Sequence, residues 1–138
     1  MPEGPEVKIA STYFNIFFKN SHKIQFETLT EYYEEKYTDV FLHIKNNLHQ
    51  YSPSYTIGKN IFIDLEDNTV FNFHLGMTGG WSSGFVKHCH FRVFNHSKEL
   101  FFRDVRKFGK MRIITKQEIL NKHHEKFDLL HNNYNFKK

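Results

Sequence analysis

The chain has 138 residues, one cysteine, and 19 Lys and Arg against 15 Asp and Glu, a formal charge of +4 at pH 7. A single domain of this length buries roughly 70% of the surface its unfolded chain exposes, so it needs no disulfide framework, and a disulfide-built secreted module is excluded. No apolar run approaches the roughly 20 residues that cross a bilayer, the densest being Tyr13 to Phe18, and the amino end is acidic and proline-bearing, so neither a membrane span nor a secretory signal is expected.

Taken in chain order, Pro5 to about Lys19 sets Ala10, Tyr13, Phe14, Phe17 and Phe18 at helical spacing, with Pro5 and Glu6 suited to a first turn. Lys23 to Leu29 alternates as a strand does, and Tyr37 to Leu48 reads as a short helix or an irregular crossing. From Tyr55 onward the pattern is β. Ile61, Ile63 and Leu65 alternate, Asp67-Asn68 marks a turn, and Val70, Phe71 and Phe73 lead into Gly76. Further strands are expected at Phe91 to Phe94, Leu100 to Val105 and Lys110 to Thr115, and a closing helix at Gln117 to Phe127. The expected fold is α+β and mainly β: a two-layer antiparallel β-sandwich flanked by helices.

Charge is unevenly spread. Residues 1–50 carry 5 basic and 7 acidic groups, residues 51–100 carry 4 and 4, and residues 101–138 carry 10 and 4. Arg103, Arg106, Lys107, Lys110 and Arg112 fall close together with only Asp104 against them. Such a cluster suits a polyanion such as nucleic acid, and in isolation it reads first as a solvated strand edge.

Removal of Met1 would expose the secondary amine of Pro2. An α-amino group has a reference pKa near 8, so roughly a tenth of it is unprotonated at pH 7. Such an amine can attack a sugar C1′ and form an iminium, and the adjacent Glu3 can give or take the proton. Alone, the pair reads as a solvated amino terminus before it reads as a catalytic one.

Four stretches read together say more: Met-Pro-Glu-Gly-Pro-Glu at 1–6, Gly58-Lys59, His74-Leu75-Gly76-Met77-Thr78-Gly79, and Arg103-Asp104-Val105-Arg106-Lys107-Phe108-Gly109. From Met1 to about Leu130 the chain resembles the amino-terminal domain of the formamidopyrimidine-DNA glycosylase/endonuclease VIII family. The resemblance implies a base-excision repair enzyme that cuts the glycosidic bond of an oxidised base and nicks the strand by β,δ-elimination. Pro2 would be the Schiff-base nucleophile, Glu3 the catalytic acid/base, and Glu6 the second acidic residue of the motif. Lys59 would match the hairpin lysine that contacts phosphate beside the lesion.

In this family the damaged nucleotide leaves the stack and the gap is filled. By resemblance Met77, Arg106 and Phe108 would fill it, while His74, Lys107 and Lys110 would lie along the DNA. Without the resemblance, Met77 and Phe108 read as core residues, His74 as a satisfied core histidine and Lys59 as a solvated turn residue. Gly4 resembles the endonuclease VIII branch and tilts the expected substrate toward oxidised pyrimidines, whereas Val105 and Lys107 depart from the family's commoner Asp-Pro-Arg-Arg-Phe-Gly spelling.

Family members are roughly twice this length, adding a helical domain and usually a zinc finger. The expected division here is a catalytic-type domain over 1–130 and a polar tail over 131–138, without those additions. A four-cysteine zinc site needs four thiolates and the chain has only Cys89. Strand alternation would put the side chains of His88-Cys89-His90 on opposite faces, so no metal and no cofactor is expected. The expected partner is damaged double-stranded or single-stranded DNA, with a separate chain carrying the helical domain as a further candidate, in an intracellular compartment that holds DNA. Three readings remain open: a glycosylase/lyase, whole or one half of a split enzyme; a DNA-binding module or inactive remnant; and an unrelated β-rich domain.

Overall fold

The computed structural model describes residues 4–19, 23–76, 79–107 and 109–121. Helix α1 (Gly4–Phe18) is followed by strand β1 (Gln25–Thr28) and helix α2 (Glu31–Asn47). Seven strands come next: β2 (Ser54–Ile57), β3 (Asn60–Asp64), β4 (Thr69–His74), β5 (Gly80–Ser82), β6 (Cys89–Phe94), β7 (Glu99–Arg103) and β8 (Lys110–Thr115). Residues 116–121 are helical. The strands form two four-stranded sheets, ordered β1-β6-β7-β5 and β2-β3-β4-β8, in which every pairing is antiparallel. The expected α+β, mainly β two-sheet architecture is therefore the one found.

The core is aromatic. Phe91 stacks on Phe102 at 4.9 Å between centroids, and Trp81 meets Phe73, Phe91 and Phe102 edge-on. Rings of this size bury large areas in rigid, two-torsion side chains, which fixes the spacing between the sheets. Helix α1 buries Val7, Ala10, Phe14 and Phe18, the face that the sequence spacing predicts, and leaves Tyr13 outside, stacked on Phe17.

Helix α1 is tied to the edge strand β2 by Asn15. Its Oδ1 accepts from the Ser54 N–H at 2.7 Å and its Nδ2 donates to the Ser54 carbonyl at 2.9 Å, so one amide pairs with both backbone groups of a residue on the sheet edge. The Ser11 and Ser54 hydroxyls, buried at 2.6 Å, complete the attachment, and the Trp81 indole N–H on the Ala10 carbonyl ties α1 to β5 of the other sheet. The hairpin that β2 enters is thereby fixed relative to α1.

Two expectations change, and one strand was not expected. Helix α2 begins at Glu31, well before Tyr37, because Thr30 caps it by accepting from the Tyr33 N–H; the expected irregularity survives as a kink at Tyr37 (φ −123°, ψ 21°). The strand expected over Leu100 to Val105 ends at Arg103, since the Asp104 carboxylate takes the backbone N–H groups of the turn that follows. Strand β5, only three residues long, carries too little alternation to be read from sequence. The closing helix is seen over 116–121, and the remainder of that expectation lies outside the described residues.

Candidate nucleic-acid interface

One end of the second sheet gathers basic groups by register alone. Asn60 pairs with His74 and His74 with Lys110, so side chains from β3, β4 and β8 form a single row across its outer face. Lys59 stands beside that row in the two-residue turn between β2 and β3. Gly58 takes φ +61° there, which glycine adopts without strain and which a tight hairpin favours at this point. The structure thus brings together Lys59, His74 and Lys110, three of the residues singled out in the sequence.

His74 is held neutral. The Gly76 N–H donates to its Nδ1 at 3.0 Å, which leaves that nitrogen no proton and puts the ring hydrogen on Nε2. Partial burial, and then the nearby Lys59 and Lys110 charges, push its pKa below the ordinary 6.5. A neutral imidazole beside two lysines can donate one hydrogen bond to an anion without adding a third charge. Because the folded state resists protonation, the stability that His74 contributes is complete above its ordinary pKa and is lost as pH falls below it. Buried His90 acts in the same direction. Urea midpoints should fall between pH 7.5 and 5.5, and less steeply in His74→Gln; equal pH dependence in the two proteins would contradict this assignment.

The turn from Asp104 to Gly109 is built around one buried carboxylate. Asp104 Oδ1 accepts from the Lys107 N–H at 3.2 Å and Oδ2 from the Gly109 N–H at 2.7 Å. Its carbonyl accepts from His90 Nε2 at 2.9 Å, and its own N–H reaches the His88 carbonyl. The Nδ1 of His90 faces the Thr30 hydroxyl, so this imidazole joins the turn to the cap of α2. Arg106 is exposed at the top of the turn. Lys107, with φ +60°, sets its ammonium 4.8 Å from the centre of the Tyr32 ring.

The two glycine-bearing motif turns meet at a single ring. A Cβ on Gly79 would lie 2.9 Å from Phe102 Cζ, and one on Gly109 would lie 3.4 Å from the same atom and 3.2 Å from the His74 carbonyl. The stretches that begin at His74 and at Arg103 are therefore neighbours in space although strands β5, β6 and β7 lie between them in the chain.

Pro2, Glu3, Met77 and Phe108 lie outside the described residues, as does the side chain of Glu6, whose backbone is in α1. Sequence reasoning missed the supporting roles of His90, Tyr32 and Asp104. Asp104 was read as a counter-charge among basic residues, yet an aspartate opening a glycine-terminated turn is itself a backbone-capturing signal. The alternation expected through His88-Cys89-His90 is also absent. A bulge between Cys89 and Phe91 puts Cys89, His90 and Phe91 all in the interior, and both His90 ring nitrogens are engaged. Among the described residues no group of three or more His, Cys, Asp or Glu is placed to hold a metal, and no helix is long and apolar enough to cross a membrane.

A two-sheet sandwich with an amino-terminal helix and a basic row at one sheet end defines the architectural class. The model of the formamidopyrimidine-DNA glycosylase N-terminal domain matches residues 1–111, and the chain belongs to that family. No curated protein matches. Among solved structures, MutM in complex with DNA containing carbocyclic 8-oxo-G is similar over 90% of this chain and 49% of its own, at 22% identity and TM-score 0.71. The Lactococcus lactis Fpg complex with abasic-site DNA matches over 90% and 47%, at 20% identity and TM-score 0.71. A Lactococcus lactis Fpg complex with Fapy-dG DNA matches over 88% and 47%, at 20% identity and TM-score 0.69. The chain thus spans about half the length of these proteins, and the likeness establishes the fold.

Proposed function

We propose that this chain supplies the catalytic domain of a bifunctional DNA glycosylase/AP lyase that removes oxidised bases, pyrimidines favoured, and belongs to the endonuclease VIII-like branch. The observation that carries the reading is the convergence of Lys59, neutral His74 and Lys110 at one sheet end, in a chain of this family. Two cations and one uncharged donor suit a phosphodiester backbone, whose neutralisation dominates DNA affinity.

In the proposed reaction the Pro2 amine, freed by loss of Met1, attacks C1′ of the damaged nucleotide. The C1′–N bond breaks and the base leaves with a proton. Glu3 protonates the ring oxygen as the sugar opens, giving an iminium between Pro2 and C1′. Loss of the C2′ proton then expels the 3′ phosphate, a second elimination expels the 5′ phosphate, and water releases the sugar remnant from Pro2. Lys59 holds the phosphate beside the lesion and favours the unprotonated amine. Glu6, the second acidic residue of the motif, supports the catalytic pair. Met77, Arg106 and Phe108 fill the vacated stack, and His74, Lys107 and Lys110 bind the backbone. The catalytic domain extends over 1–130, and the reaction takes place in the cell compartment that holds DNA.

Borohydride trapping on an abasic-site oligonucleotide tests the reading. Wild type is expected to give a covalent adduct, and Pro2→Gly or an acetylated amino terminus none. A folded protein without Met1 that binds the oligonucleotide and is not trapped would instead be a DNA-binding remnant or one half of a two-chain glycosylase.

A further inference from the structure

The outer face of the second sheet is divided in two. Its apolar part, with Phe62, Val70 and Ile114, lies beneath Ile119 of the 116–121 helix. The other part is polar, and one residue there is out of character: Asn72, in the middle of β4, is 3% exposed and has Phe71 and Phe73 on either side. A buried amide in a sheet costs free energy unless both of its ends are paired. Both are. Nδ2 donates to the Ile61 carbonyl at 3.2 Å and to Asn60 Oδ1 at 3.3 Å, while Oδ1 accepts from Arg112 Nε at 2.8 Å.

The consequence falls on Arg112. It is exposed, sits directly opposite Asn72 in the ladder, and follows Lys110 by two residues, so both project from one face of β8. Tethering through Nε uses one edge of the guanidinium and leaves the terminal Nη groups as donors in a fixed plane. A free arginine loses rotamer freedom when it captures an anion, whereas this one has already lost it.

We infer that Arg112, held by buried Asn72, is a further phosphate-binding group that extends the Lys59, His74 and Lys110 cluster along β8, so that the bound strand runs over β8. The ligand is the sugar-phosphate backbone, and the inference rests on the DNA-binding reading above. Asn72 is a positioning residue here, and Arg112 is the one that touches phosphate.

The salt dependence of binding to a duplex bearing an abasic-site analogue separates the two claims. Each phosphate neutralised contributes about 0.9 to the slope of log K against log salt. Arg112→Gln should lower that slope by about one such step, as Lys110→Gln should. Arg112→Lys should keep the slope and lose several-fold in affinity, because lysine has no Nε to tether. Asn72→Ser should behave like Arg112→Lys, its folding checked by circular dichroism. If Lys110→Gln lowers the slope while Arg112→Gln changes neither slope nor affinity, the inference is overturned and the DNA-binding reading stands. A folded wild-type chain that does not bind the duplex at all would overturn both.

Discussion

Asp104→Ala is expected to lose about 2–6 kcal/mol of folding stability, because removal of a buried acceptor leaves each of its donors with a desolvation penalty of about 1–3 kcal/mol. Among the described residues the N–H groups of Lys107 and Gly109 are such donors, and Asp104 itself is fully buried, so water cannot readily replace the carboxylate. Against a total stability of about 5–15 kcal/mol for a domain, a loss of this size is a large share. Asp104→Asn keeps one acceptor oxygen and should lose less. Urea unfolding of the three proteins checks the order, and a loss under about 1 kcal/mol in Asp104→Ala would contradict it. The same change loosens the turn that displays Arg106, so affinity for an abasic duplex should fall even at temperatures where the variant remains folded.

Gly79→Ala should be comparably damaging for a steric reason. The added methyl would stand 2.2 Å from the Leu75 carbonyl oxygen and 3.0 Å from its carbon, and these are backbone atoms. The Gly79 N–H donates to that same oxygen at 2.9 Å, so relief requires opening the turn that leads from β4 to β5. Overpacking usually costs about 1–3 kcal/mol, and contact with backbone places this case at or above the upper end. Gly80→Ala is the internal control: its methyl meets nothing within 4 Å, and the change should be near neutral. A Gly79→Ala protein with the thermal midpoint of Gly80→Ala would show that the turn is not packed as described.

The sequence made the strands legible wherever alternation was long. Ile61, Ile63, Phe71 and Phe73 all face inward as their spacing predicts, and the face that α1 buries follows from Ala10, Phe14 and Phe18. It was less informative where side chains capture backbone. The start of α2 depends on the Thr30 hydroxyl, and the end of β7 depends on the Asp104 carboxylate reaching forward over several residues, neither of which alters hydrophobic periodicity. At the candidate site, Lys59 and His74 could be named from motifs and Lys110 from the basic cluster, but their meeting at one sheet end is a property of strand register. Asn72 was hidden for the same reason: the middle of an apolar strand gives no sign that its neighbour across the ladder is Arg112. The contact of the Lys107 ammonium with the Tyr32 ring of α2 was likewise invisible in the sequence.

The most direct test of the central claim is to locate the covalent bond. Wild-type protein is reduced with borohydride on an abasic-site oligonucleotide, digested, and the adduct-bearing peptide sequenced by mass spectrometry. The account predicts a peptide that lacks Met1 and carries the sugar remnant on the Pro2 nitrogen. An adduct on a lysine side chain such as Lys59, with Pro2 unmodified, would contradict it.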